Sequence, residues 1–288
     1  MKSPLCAAIV FLPVLFSSGS FKGQLSRRAL MPEKISESSG LVFTDGKLWT
    51  HNDKGGFPCI YSIDTADGHI KQTVVVKNYP NVDWEDITSD ERHIYVCDFG
   101  NNYGDRKNLR ILVIEKSDIT DEPVVRVSAQ AINFTYADQK NFIPSTRNNY
   151  DCESVLSIGD SLYLFSKDRG DNMTRVYRLT KNPGTYTIAP YTHFDVAGRI
   201  CGAAYNPHTN QLALIGYLAY TTHSFLWLMK NFSGDDFFGG TKERIEIGAN
   251  KLRWKTEGIA WIDEERVFIS CERTPDEPAA LYVYSFDK

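Results

Sequence analysis

The feature that most constrains this chain is a segment grammar that recurs five times. Each occurrence has a short strand, a turn, a second strand ending in polar residues and a third strand. The segments begin SSGLVFTDGKLWTHNDKGG at Ser38, WEDITSDERHIYVCDFGNN at Trp84 and CESVLSIGDSLYLFSKDRG at Cys152. CGAAYNPHTNQLALIGY at Cys201 and TEGIAWIDEERVFISCERT at Thr256 complete the set. In the first three, the apolar residue opening the first strand (Leu41, Ile87, Val155) precedes an aromatic of the second (Trp49, Tyr95, Tyr163) by the same interval. A repeat of this length cannot bury its apolar face alone, so the units must pack against one another. The third strands CIYSID, LRILVIEK, TRVYRLTK, FLWLMK and ALYVYSFD are β-branched and aromatic, bounded by Gly, Asn, Asp or Pro.

An all-β, five-bladed β-propeller is therefore expected. Fourth strands are expected near Ile70 to Lys77, Val125 to Tyr136, Tyr186 to Val196 and Lys242 to Ile247. The fifth repeat lacks one because the chain stops at Lys288, and Gln24 to Ile35 is expected to supply it and close the ring. The spacing between the second and third repeats is the longest and leaves a six-bladed alternative. The polar stretch ADQKNFIPSTRNNY, from Ala137 to Tyr150, has no strand character and reads as a loop.

Lys2, the apolar run from Leu5 to Phe16 and the small residues Ser17-Ser18-Gly19-Ser20 form an export signal, expected to be cut after Ser20. That run is shorter than the roughly 20 apolar residues a spanning helix needs, and no later stretch reaches that length. Cys6 precedes the apolar run, which argues against a lipid anchor. Residues 21–288 then form one propeller domain, secreted or periplasmic. The net charge of −4 and the absence of a basic run argue against a nucleic-acid partner. Five cysteines remain beyond the signal, an odd number that is no disulfide framework. Cys152 and Cys201 could pair across neighbouring repeats, but buried, unpaired thiols are the favoured reading.

The first strand of each blade lines the axial channel, so residues opening those strands converge. The repeats put Ser39, Glu85, Glu153 and Glu257 there, with Gly202 in the fourth. Three carboxylates facing one another must be protonated or share a cation. An oxygen-only set suits a hard ion, and Ca²⁺ tolerates irregular geometry best. Structural roles for these glutamates, as hydrogen-bond acceptors or partners of Arg199, Lys255 or Arg273, are the competing reading. The second strands end on the same face, which directs Asp98, Lys167, Arg169, Glu272 and Arg273 toward the mouth, with Asn52 and Asp53 from the first repeat. Such a mouth suits a small anionic or polyol ligand. No P-loop, HExxH helix, nucleophile elbow or dinucleotide fingerprint is present.

The order SSGLVF-DGKLW, WEDITSDERHIYV, CESV, YNP and TEGIAW resembles the calcium-activated nucleotidase (apyrase) family. That resemblance implies a five-bladed propeller with one Ca²⁺ in the channel, held by Ser38 or Ser39, Glu85, Glu153 and Glu257. It departs at Cys201-Gly202, where the family has a serine, and in the mouth loops. The WED and DxGxN motifs also resemble uncharacterised secreted bacterial propellers, and Glu257-Gly258-Ile259-Ala260-Trp261 resembles the opening of gluconolactonases. Three functions are therefore expected to compete: a calcium-dependent hydrolase of nucleotides or other small phosphoesters, a non-catalytic glycan- or protein-binding propeller with structural calcium, and a lactonase-like metal-dependent hydrolase. In the first, Lys167, Arg169 and Arg273 would neutralise developing charge, and Asp98 or Glu272 would act as base.

Overall fold

The computed structural model of the protein describes residues 23–218, 223–248 and 254–287. The export signal expected at residues 1–20 lies outside them, and no helix among the described residues is long and apolar enough to cross a membrane.

Five mainly antiparallel sheets surround a channel, as the repeats require. The inner strands are Ser38–Thr44, Trp84–Ser89, Cys152–Ile158, Arg199–Asn206 and Thr256–Trp261. Each pairs with a second strand, respectively Lys47–Asn52, His93–Asp98, Ser161–Ser166, Gln211–Tyr217 and Arg266–Cys271. Neighbouring inner strands touch all the way round, the fifth returning to the first. The N-terminal strand Gln24–Leu30 pairs antiparallel with Ala280–Ser285 and completes the last blade, as expected. Residues 137–151 contain no strand, so the long interval between the second and third repeats is a loop and the blade count is five.

The core lies between blades, in five apolar layers. Trp49, Val74, Val96 and Ile114 belong to the layer between the first and second blades. Each blade is buried on both faces, which explains why its middle strands read as nearly continuous apolar runs. Cys152 belongs to the layer between the second and third blades and Cys201 to that between the fourth and fifth. The five described cysteines are accordingly buried and form no disulfide among the described residues, as favoured from sequence.

Two expected fourth strands are each divided. Val124–Val127 leaves its own blade and pairs in parallel with Ile70–Val76, the outer strand of the first. Only Gln130–Tyr136 is the fourth strand of the second blade. Asn78 pins the crossing, donating from Nδ2 to the Ala129 carbonyl and accepting the Ala129 N–H at Oδ1. Gly184–Ile188 likewise adds in parallel to Gln130–Tyr136, and Pro190–Phe194 then serves the third blade. An exposed edge has unpaired N–H and C=O groups, and the passing chain satisfies them. Local pattern cannot reveal this, because the residues keep strand character in either blade.

Candidate functional site

A β-bulge interrupts all five inner strands at the same level. The register shifts at Ser38/Leu41, Trp84/Asp86, Cys152/Ser154, Ile200/Gly202 and Thr256/Ile259. A bulge leaves a residue outside the ladder and re-aims its side chain. Ser39, Glu85, Glu153 and Glu257 all sit on these bulges, so their shared position has a backbone cause. In the fourth blade the equivalent residue is Cys201, which corrects the sequence alignment to Gly202. Gly202 belongs to the next column, where a Cβ would come 2.3 Å from the Glu257 carbonyl oxygen. The fourth and fifth inner strands approach so closely there that only glycine fits. Cys201 Sγ lies 2.8 Å from the Thr256 carbonyl oxygen.

Two overlapping acidic groups occupy the channel at this level. Ligand oxygens of Asp53, Asp83 and Glu85 lie within 4.8 Å of one another, as do those of Glu85, Asp151 and Glu153. Glu85 is shared, and only 4% of it is exposed. Burial, then repulsion from Glu153, Asp53, Asp83 and Asp151, push its carboxyl well above the ordinary glutamate range. Asp83 is raised to about 6, first by burial and then by Asp53, while Lys54 opposes the rise. Asp83 Oδ1 is buried without a hydrogen-bond partner. Gly100 packs against this group, and a Cβ there would lie 2.1 Å from Glu85 Oε1.

The remaining acids have cations of their own. Lys167 Nζ lies 2.9 Å from Glu153 Oε1, both side chains being almost wholly buried. Burial would depress the Lys167 ammonium, but Glu153, Tyr217 and Glu257 hold it well above the usual lysine range. Its Nζ lies 5.3 Å from the centre of the Tyr217 ring. Arg169 Nε donates to Asp151 Oδ2 at 2.8 Å, and Asp151 Oδ1 accepts the Asn101 N–H. Glu257 stands outside both acidic groups, its Oε1 3.0 Å from Lys255 Nζ. The same ammonium lies 2.6 Å from Glu272, whose carboxyl is raised to about 7 by burial and by Glu257, against Lys255.

The structure thus gathers Glu85, Glu153, Lys167 and Arg169, with Glu257 and Glu272 joined through Lys255. Three other sequence candidates are engaged elsewhere. Ser39 Oγ donates to the Glu85 carbonyl at 2.7 Å and ties two inner strands together. Asp98 is fully buried and bridges Arg106 and Arg110, each at 2.9 Å. Arg273 lies at the surface in an ion pair with Glu33. Sequence reasoning misses Asp53, Asp83 and Asp151 as members of the cluster. A signal exists for two of them, since Asp83 and Asp151 each lie two residues before a channel glutamate, where an alternating strand returns a side chain to the same face. The repeat alone places Asp53 no deeper than the mouth.

The channel's two ends differ. Beyond the bulges the inner strands enclose a cavity of about 840 Å³ with Leu41, Ile87, Leu156, Ala203, Ile259 and Trp261 among its lining. The two channel groups of close-set carboxylates lie at the other end, where the inner strands begin.

The raised glutamates predict a pH dependence. Without a bound cation the folded state holds protons on Glu85, and on Glu272, raised to about 7, more tightly than the unfolded chain, whose glutamates titrate near 4.5. Stability from this source is complete below that value and is lost as pH rises through the raised folded-state values. Thermal unfolding in EDTA should show a falling melting temperature between pH 5 and pH 8. A flat or rising profile would contradict the assignment.

No known family model matches the sequence, and no curated protein is similar to it. Solved structures share the fold. The PQQ-bound aldose sugar dehydrogenase of Streptomyces coelicolor is 10% identical, with a TM-score of 0.51 over 93% of this chain and 99% of that one. A putative oxidoreductase (glucose dehydrogenase) of Thermus thermophilus is 8% identical, with a TM-score of 0.50 over 91% and 99%. At these identities the likeness establishes architecture, and chemistry must be argued from the site.

Proposed function

We propose that this chain is an exported calcium-binding propeller whose channel mouth takes a small anionic ligand, and that hydrolysis of a phosphoester is the reaction this mouth is equipped to perform. The observation that carries the reading is the imbalance around Glu85. Asp53, Asp83 and Glu85 have no ion-pair partner within 4.0 Å among the described residues, whereas Asp151, Glu153, Glu257 and Glu272 do. A buried, partnerless carboxylate oxygen on Asp83 adds an unfilled coordination valence. Oxygen donors without histidine or cysteine fit a hard cation. In this reading the cation sits with Glu85 and its neighbouring aspartates instead of on the whole ring expected from sequence, since Lys167 and Lys255 stand at Glu153 and Glu257.

When bound, calcium would polarise a phosphoryl oxygen and anchor the anion. Lys54, exposed beside Asp53 and within reach of the Asp83 and Glu85 charges, would meet the ligand from the solvent side. Glu272, raised to about 7, can accept a proton near neutral pH. Lys167 and Arg169, held by Glu153 and Asp151, orient the acidic wall and are not free to bind the anion.

That occupancy favours a second reading, in which the cation is a structural pin and the mouth only binds. Phosphate release from a panel of nucleotides and simple phosphoesters, with calcium and with EDTA, separates the two. Calcium-dependent turnover lost in Glu85→Gln supports the hydrolase. Calcium binding without turnover leaves the binding module, and no calcium binding removes both.

A further inference from the structure

We propose that the polar pocket on the mouth-side face of the second and third blades, outside the channel, is a site for an uncharged saccharide. Its outer wall is the excursion from Ala137 to Tyr150, which long hydrogen-bonded hooks hold in one shape. Gln139 Nε2 donates to the Gly104 carbonyl at 2.7 Å, and Asn148 Nδ2 to the Asn102 carbonyl at 3.0 Å. The Ser145 N–H donates to the Tyr103 carbonyl, and the Arg169 N–H to the Asn148 carbonyl. Asn149 bonds Asp171 through Nδ2 and accepts the Gly170 N–H at Oδ1. Gly104, at φ +68°, brings its backbone so close that a Cβ would lie 2.9 Å from the Asn148 amide carbon. A loop of this length without secondary structure is uncommon in a compact domain unless it serves a function, and this one is pinned on both sides.

The cavity, half open to solvent, is about 380 Å³, at the small end of the range for ligand sites, a size that suits a mono- or disaccharide. Its charges decide the ligand class. Arg175 is committed to Asp168 and Asp171. Arg147 and Asp138 also line the cavity, and the side chain of neither has a hydrogen-bond or ion partner among the described residues. One free fork of donors and one free pair of acceptors cancel in charge. A ligand rich in hydroxyls can use both at once, whereas a phosphate or uronate would face an uncompensated carboxylate. Apolar surface flanks the polar wall: Tyr103 is 56% exposed and Ile143 73%. Tyr150 lines the cavity with its ring braced on Tyr136 at 5.4 Å. Aromatic and aliphatic faces beside free polar groups match a sugar ring, which presents C–H faces and hydroxyl edges.

The test is isothermal titration of the intact chain with cellotetraose, xylotetraose, chitotetraose and tetragalacturonate, in calcium and in EDTA. The expected result is binding of at least one neutral oligosaccharide in both buffers, weakened at least about tenfold by Asp138→Ala or Arg147→Ala. Both residues are exposed, so the melting temperature should not change. Glu85→Gln should bind as the wild type does, which keeps this outcome independent of the channel cation. No binding up to about 10 mM, binding of tetragalacturonate alone, or binding that survives the Asp138→Ala/Arg147→Ala double variant would overturn the proposal.

Discussion

Calcium is expected to stabilise the wild-type protein, and Glu85→Gln to abolish that gain while Glu257→Gln retains it. Glu85 belongs to both acidic groups and has no cation within ion-pair distance among the described residues, whereas Glu257 sits against Lys255 outside both. A ligand bound only by the folded state stabilises it by about 2.7 kcal/mol at a hundredfold excess over its dissociation constant. For a chain of this size that corresponds to a rise of about 5 °C in melting temperature. Differential scanning calorimetry with calcium and with EDTA measures it. The neutral amide keeps the shape of Glu85 and removes the repulsion from Glu153, Asp53 and Asp83, so the variant should fold at least as stably as the calcium-free wild type. Equal calcium responses in Glu85→Gln and wild type would place the cation elsewhere.

The second large effect is expected at Lys167. Its ammonium is buried against Glu153 and is further held by Glu257. Lys167→Met would leave Glu153 facing Asp151 and Glu257 with only the more distant Arg169 guanidinium, at 3.9 Å, opposite it. Removing one member of a buried ion pair costs about 3–5 kcal/mol, measurable as a lowered urea midpoint. Adding Glu153→Gln should recover most of that loss, because the uncompensated charge disappears with its partner. A double variant no more stable than Lys167→Met would mean that packing against Tyr217, and not charge, is what Lys167 supplies.

These two lysines change what a propeller channel of this kind can hold. With Lys167 and Lys255 acting as tethered cations at Glu153 and Glu257, the acids without such a cation among the described residues are Asp53, Asp83 and Glu85 of the first and second blades, where the proposed ion would sit. The same logic bears on the resemblance to calcium-activated nucleotidases. That resemblance rests on strand-opening motifs, and these motifs mark the bulges common to every blade here.

Much of the fold is legible because β-propeller blades repeat in sequence as well as in space. The five inner strands, the tyrosines and tryptophan of the second strands and the closing N-terminal strand all follow from local alternation and its recurrence. The edge strands Val124–Val127 and Gly184–Ile188 escape a local reading for the complementary reason: strand character is local, but the choice of partner blade is not.

The candidate site divides along the same line. By itself the sequence determined that Glu85, Glu153 and Glu257 open equivalent strands and therefore share a level near the axis, since equal positions in a closed repeat are equal positions around a ring. Only the tertiary structure decided which of them is left without a cation of its own among the described residues. The lysines that silence Glu153 and Glu257, and the aspartates that join Glu85, depend on how side chains from different strands meet in a channel a few ångströms wide. Such meetings are set by bulge geometry and by burial, which raises the energy of any unpaired charge, and neither is encoded at a fixed spacing along the chain.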